Sequence, residues 1–504
     1  MRFTTTWSRN IFSARGQQWL AVALVVLCLL PFVVLAFDSH PALDDFQDAV
    51  MRRRLGFWAA QRELYQGWTG RYTTSLLLMD ASPLHWGPHW YRYYFLVGWS
   101  ALLALAGGLY ACWTVLTGTA WPRRVRLLAT GVVLALWLTQ AASIAEGLYW
   151  YNAVAVYTWP AALLLWWLVA LVQLVRTARS ARGSMGRGLV AATLTVAVVG
   201  SNEVAALVVL AGLGYAALWA WCWHRPRLPA LAALLTIALL AAAASFLAPG
   251  NGQRLNTIAH QPQLLQALVG SGAAAAYFSV NWLGAGLLLA ATALALPALA
   301  RLIARPGSAA HGLSRVPPLW LGTGLLLVLA LVNMPSYWAT GGMMPLRVRA
   351  VVWLFFLVGW LALALAALGA ASQRWPLLRH VAAGWPRPVA AALWAGLLLF
   401  FFTDHNVRLT HAGAGVASNN VVLAYRDWLS GAAARYNQQQ RARYRQLQAA
   451  PAQSLRLAPL TAEPPTLIYY DITTDSTYWG NSAYAQFFGQ RTVWIGPGGH
   501  APPR

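Results

Sequence analysis

Two adjacent carboxylates, Asp44 and Asp45, follow the first long apolar run of this chain and open a stretch with helical patterning. A carboxylate held within hydrogen-bond reach of a hydroxyl can take its proton as a general base. The same pair can instead cap the helix it opens, because acids near a helix N-terminus complement its unpaired N–H groups and its dipole. Asn202-Glu203 stands between two apolar runs with almost no loop, a costly place for an ionisable group and a functional candidate by default. The segment from Pro249 through Gly250, Asn251, Gly252 and Gln253 to Arg254 reads as a tight turn followed by a guanidinium. Turn amides beside one arginine make a phosphate cradle, or else an ordinary Pro-Gly loop. Arg347 and Arg349 either bind a lipid phosphate or snorkel to headgroups. In Gly70-Arg71-Tyr72, glycine and ring let a ligand approach closely. The segment from Glu146 to Pro160, with Trp150 and Asn152, is either a second binding segment or an interfacial aromatic belt.

These residues need a scaffold, and the composition of the 504-residue chain says which kind. Apolar residues make up 59% and charged residues only 10%, against roughly 25% charged in a soluble globular protein. Mean hydropathy is +0.51. This excludes a soluble enzyme, a disordered chain and a disulfide scaffold, and fits a polytopic membrane protein. Cys28, Cys112 and Cys222 all lie in apolar stretches and form neither a metal-ligand pattern nor a disulfide framework. The formal net charge of +23 comes from arginine alone, since the chain has no lysine. The arginines fall in short clusters between apolar runs, so membrane topology explains them and nucleic-acid binding is not expected.

Apolar runs at 18–37, 91–117, 127–145, 160–176, 188–201, 204–223, 229–247, 275–300, 318–334, 349–371 and 388–403 give about eleven spans of the required length. Residues 262–276 form an interfacial helix or belong to a longer one. The first run is longer than a signal-peptide core and lacks a small-residue cleavage site, so it is expected to be retained. Arginine clusters occupy alternate loops, which puts the N-terminus inside and the tail from about residue 404 outside. All of the acidic residues then fall on the outer side or its rim, either because chemistry is concentrated there or because scarce acids collect in long loops. The first outer loop, 38–90, carries Arg52, Arg53 and Arg54 on a short helix with Phe57 and Trp58 close behind, suited to the headgroup layer. The expected fold is therefore mainly α, with a membrane helix bundle over 1–403 and a small extracytoplasmic α/β domain over 404–504. Within that domain, 420–448 reads as an amphipathic helix and 458–465 as a Pro-rich linker. Thr466–Ile472 and Thr492–Ile495 read as strands, and Asn481–Gly489 as a short helix.

An acidic pair just after the first membrane helix resembles the GT-C class of glycosyltransferases. The order Asp44-Asp45-Phe46, Gly70-Arg71-Tyr72, Trp150–Tyr157, Asn202-Glu203, Pro249-Gly250-Asn251 with Arg254, and Asn481–Gly489 is more specifically similar to DUF6056, a bacterial membrane family with a GT-C-like plan. The resemblance touches most of the chain, although each motif is short. It implies a multi-pass protein of the bacterial cytoplasmic membrane. Such a protein would move a sugar, with inversion, from a polyprenyl-phosphate donor to a cell-envelope glycan or glycolipid acceptor. Asp44 or Asp45 would be the base, and Arg254, Arg347 and Arg349, with Arg71 behind them, would hold the phosphate. Some members of the class use Mg or Mn, for which Asp44, Asp45 and Glu203 offer oxygen ligands. No G-x-G-x-x-G nucleotide motif follows a strand. The alternative is a transporter or flippase for an envelope lipid. That would call for repeated halves with polar breaks near the membrane midplane, and no such repeat is visible. A third reading is a non-catalytic scaffold on a GT-C-like core.

Overall fold

The computed structural model describes residues 13–176, 181–258, 260–403, 419–449 and 452–496. The chain is mainly helical. The helices used below are α1 Ala14–Leu35, α2 Asp44–Leu55, α3 Phe57–Gly67, α4 Tyr72–Asp80, α5 Leu96–Thr117, α6 Arg123–Gln140 and α7 Trp159–Arg176. They continue with α8 Ala181–Val199, α9 Glu203–Trp223, α10 Leu228–Phe246, α11 Pro249–Asn256, α12 Leu264–Leu283 and α13 Gly286–Ile303. The last are α14 Pro318–Thr340, α15 Leu346–Arg374, α16 Arg387–Thr403, α17 Asn420–Leu429, α18 Ala432–Ala449 and α19 Trp479–Phe487.

Among the described residues, 8 helices are long and apolar enough to cross a membrane, which makes this a helical membrane protein. About eleven were expected. The expected spans at 127–145, 188–201 and 388–403 are helices, but arginines weigh down the first and the other two have short apolar stretches. The expected single span 275–300 is two helices, α12 and α13, with Gly284-Ala285 between them, and 264–276 belongs to α12. Glycine is a poor helix residue, and a Cβ on Gly286 would stand 2.4 Å from the Phe400 ring, so α13 starts where it must pass a ring closely. Close packing elsewhere also uses small residues. A Cβ on Gly108 of α5 would lie 2.8 Å from Leu165 Cβ of α7.

The tail does not form a separate unit. Buried tail residues such as Val421, Tyr444, Tyr484 and Val493 belong to the same apolar cluster as Phe32, Trp137 and Trp353 of the bundle. Asn420 Nδ2 donates to the carbonyls of Leu138 and Ala141 at the end of α6, at 2.9 and 2.6 Å. The expected helix over 420–448 is broken at Gly431, which takes a positive φ of 73° between α17 and α18. The two strands are β1 Ser454–Leu457 and β2 Thr492–Ile495, paired in parallel. The second was expected and the first was not.

Thr466–Ile472, expected as a strand, starts in a turn and continues as irregular chain. Asp427 Oδ2 accepts from Thr466 N and Oγ1, and Leu467 and Ile468 N–H turn back on the Pro464 carbonyl. Arg443 then grips Asp471 at 2.7 Å. Specific side-chain contacts override the β-branched and aromatic composition. Asp404, expected at the tail's start, lies outside the described residues.

Candidate functional site

Asp44 opens α2 from an unusual backbone. The residue before it, Leu43, has φ 41° and ψ −101°, a strained conformation for a branched side chain. Tertiary packing holds it there. The Leu43 side chain occupies the space where a Cβ on Gly480 of α19 would be, at 2.5 Å. The strain turns the two carboxyls of the pair to different surroundings.

Asp45 is buried, and its carboxyl accepts three hydrogen bonds. Tyr94 OH donates at 2.8 Å, the Asn152 N–H at 2.9 Å and the Ala42 N–H at 3.2 Å. Burial pushes Asp45 up to about 7 against those three donors. Asp45 thus ties α2 to the 150s segment and is not free to act on a substrate, which corrects its place as a candidate base. Asp44 accepts no hydrogen bond from another residue's side chain or backbone among the described residues, and it is only partly buried. Burial raises its carboxyl, while the charges of Arg347 and Arg254 oppose the rise. Those two guanidiniums therefore lie near enough for their charge to act on it. Asp48, one turn on, accepts from Asn152 Nδ2 at 3.0 Å, and burial together with Asp44 and Asp45 lifts it well above the carboxylate range. Asp48 went unnoticed in the sequence, although its i+4 spacing from Asp44 places the two on one helix face.

The segment after α6 supplies the opposite wall. Two wide π-turns, Ala145–Tyr149 and Val154–Thr158, flank Trp150. Such turns shift the side-chain register of a helix and recur at functional sites. Tyr149, Trp150 and Tyr151 are nearly fully buried, so the belt alternative fails. Trp150 Nε1 donates to the Ala42 carbonyl at 3.2 Å. Its ring stacks on Tyr469 from the tail and lies under the Arg347 guanidinium, 5.5 Å from centroid to Cζ. Arg347 Nη1 donates to the buried Glu146 carboxylate at 3.0 Å. Tyr469 reaches the same cluster. Burial raises its phenol, and Arg347, Glu146 and Asp44 all act on it.

The remaining wall comes from the 60s loop, α9 and α11. Arg71 meets Glu203 side-on, with Nε 3.1 and 3.0 Å from the two carboxylate oxygens and Nη2 at 2.6 Å from one of them. It also lies 5.9 Å from the Tyr157 ring centroid. The Arg254 guanidinium stands 5.6 Å from the Trp68 ring centroid and makes no hydrogen bond or salt bridge among the described residues. Its basicity is lowered, first by the like charge of Arg71 and then by burial. Backbone packing fixes this wall. A Cβ on Gly70 would lie 1.8 Å from the Ser245 carbonyl oxygen, and one on Gly250 would lie 2.5 Å from the Trp68 nitrogen.

Several expected site residues turn out to be occupied. Asn202 caps α9 by accepting from the Ala205 N–H at 2.9 Å, and its Nδ2 donates to the Val156 carbonyl. Asn251 accepts from the Gly70 N–H and donates to the Ser245 carbonyl. The Pro249–Gly252 turn opens α11, and the Trp68-Thr69 backbone covers its Gly250, so it serves as a packing corner and not as an amide cradle. Arg349 Nε turns back to the Met344 carbonyl at 2.7 Å. Asn152 serves the carboxylates of α2. The tentative metal set is not assembled. Asp45 takes three donors, Glu203 is clamped by Arg71, and no group of three or more His, Cys, Asp or Glu among the described residues is placed to hold a metal ion.

What the geometry brings together is one open carboxylate, one unpaired guanidinium and one guanidinium braced by a buried Glu, all walled by Trp68, Trp150, Tyr157 and Tyr469. The arrangement suits a ligand with an anion at one end and a hydroxyl to be deprotonated nearby. No protein-family model matches the chain, and neither the curated proteins nor the solved structures contain a match.

Proposed function

We propose that this chain is an inverting glycosyltransferase of the bacterial cytoplasmic membrane. It takes a sugar from a polyprenyl-phosphate donor and gives it to a glycan or glycolipid on the extracytoplasmic side, where the Asp44 end of the bundle faces. The observation that carries this reading is Asp44 itself. It is a partly buried carboxylate without a hydrogen-bonding partner residue among the described residues, and it feels the positive charge of Arg347 and Arg254. Burial raises its pKa, which makes it a stronger base than an exposed carboxylate. Asp44 takes the proton from the acceptor hydroxyl, and the freed oxygen forms a bond to the anomeric carbon from the face opposite the phosphate. The bond from that carbon to the phosphate oxygen breaks, and its electron pair leaves with the lipid phosphate. Arg254, which forms no salt bridge among the described residues, and Arg347, held by Glu146, meet the growing charge there. The aromatic walls exclude water and give the sugar ring flat faces to rest on.

The test is a transfer assay on purified protein reconstituted in lipid, with a panel of polyprenyl-phosphate sugars, comparing the wild type with Asp44→Asn. Transfer by the wild type that collapses in the variant supports the reading. Equal transfer by both rejects Asp44 as the base. Movement of the lipid across the bilayer with no sugar transferred would favour the flippase alternative.

A further inference from the structure

Away from the Asp44 site, α1, α6, α13 and α16 enclose an apolar groove of about 430 Å3, roofed by α17 of the tail. Val25, Cys28, Ala135, Thr139, Ala291 and Phe401 represent its walls. No charged side chain lines it. The Thr139 hydroxyl donates to the Ala135 carbonyl on its own helix, and Tyr425 in the roof donates to the Leu27 carbonyl at 2.9 Å. These hydroxyls are therefore turned onto backbone. Among the described lining side chains, the Trp394 indole N–H alone is buried without a hydrogen-bond partner, and a water needs two or more polar partners to stay in a cavity. An empty apolar space forfeits the contacts of everything that lines it. Two of the walls, α1 and α13, belong to candidate membrane spans, and the groove's flank is apolar and exposed at Leu27, 52%, and Phe402, 59%. The surroundings at that flank are hydrocarbon.

We propose that the groove binds one acyl chain of a bilayer phospholipid as a fixed constituent of the protein, and that this chain supports α17. The site is distinct from the Asp44 cluster, and the proposal stands whether or not that cluster transfers sugar. It has a mechanical link to the cluster all the same. The chain would press on Val421 and Val422 of α17. At the far end of the same helix, Asp427 holds Thr466 by its N–H and its hydroxyl. Thr466 leads within one short turn to Tyr469, which stacks on Trp150. Lipid in the groove therefore props the element that delivers Tyr469.

The test places the protein in nanodiscs of phosphatidylcholine containing a small fraction of the same lipid with a diazirine near the end of one acyl chain. After irradiation, mass spectrometry maps the adducts. Adducts concentrated on the groove faces of α1, α6 and α16, and lost severalfold in both Ala135→Phe and Ala291→Phe, support the proposal. The two substitutions fill the groove from different walls, so one still decides if the other fails to fold. Adducts spread evenly around the lipid-facing perimeter overturn the proposal, as does undiminished labelling of the groove in a folded variant. The wild-type map alone decides if neither variant folds.

Discussion

The indole of Trp150 lies flat on the phenol ring of Tyr469, with centroids 4.1 Å apart and planes 20° from parallel. One ring comes from a buried segment between bundle helices and the other from the tail. Arg347 sits above the indole. The stack is therefore the seam along which the tail closes the site. Double replacement, Trp150→Ala with Tyr469→Ala, should reveal a coupling of about 0.5–1.5 kcal/mol in thermal or denaturant unfolding. Tyr469→Ala alone should weaken donor binding. Additive single effects with no change in donor affinity would mean that the tail merely leans on the bundle.

Asp44 and Asp45 should separate cleanly. Asp44→Asn is expected to lower transfer by about 10²–10⁴-fold with little change in melting temperature. Asp45→Asn is expected to cost about 1–3 kcal/mol of stability, because an amide keeps one acceptor oxygen where three buried donors share two. The base needs its carboxylate ionised, and burial raises the Asp44 pKa. The acid limb of the rate profile should therefore lie above the usual carboxylate range and shift when Arg254 is removed. Rates and melting curves on the same preparations settle both points.

The arginines should also divide by role. Arg254→Ala removes a guanidinium that forms no salt bridge among the described residues, so donor affinity should fall by about 1.5–3 kcal/mol while the fold persists. Arg71→Ala leaves Glu203 partly buried without its partner and should lower stability instead, by about 1–3 kcal/mol. Isothermal titration with a non-transferable lipid-phosphate sugar, alongside melting curves, tells them apart. Equal donor affinity in the wild type and Arg254→Ala would remove Arg254 from the phosphate site.

His40 makes the joint between the first loop and the tail sensitive to acid. Its ring nitrogens contact Asn437 Oδ1 at 3.1 Å and Tyr444 OH at 3.2 Å, with the Tyr436 ring edge-on and Arg441 nearby. Burial pushes the imidazole down to about 3. A depressed folded pKa means that the contribution to stability is complete above the unfolded value of about 6.5 and is lost progressively as pH falls toward 3. At pH 5 the loss is about 2 kcal/mol. Protection factors of the α18 amides, taken against the intrinsic exchange rate at each pH, should fall between pH 6.5 and 5 in the wild type, and His40→Gln should flatten that dependence. A wild-type profile that is already flat would refute the assignment.

The sequence made much of the scaffold readable, because membrane helices announce themselves by uninterrupted apolar length. Gly284 and Gly286 inside one apolar run were the local sign that 275–300 is two helices. Within the site, charged residue types pointed to the right segments, but their roles depend on partners far away in the chain. Nothing local distinguishes Asp44 from Asp45. Tyr94, Asn152 and Ala42 make the difference, and two of these three come from other segments. Asn202 and Asn251 drew attention as polar residues at a rim and proved to be a cap and a strut. Tyr469 carried no signal at all, since its neighbourhood read as a strand and its partner Trp150 is remote. The core that the tail shares with the bundle was not legible for the same reason, because it can be seen only once the chain is folded.

That shared core also sets the order of assembly. His40 must wait for Tyr444, 404 positions later, before the loop that carries Asp44 finds its seat. At about 5–20 residues per second, the ribosome delivers that partner on the order of tens of seconds after the loop itself. A nascent chain released before Tyr444 would thus lack the partner that seats this loop.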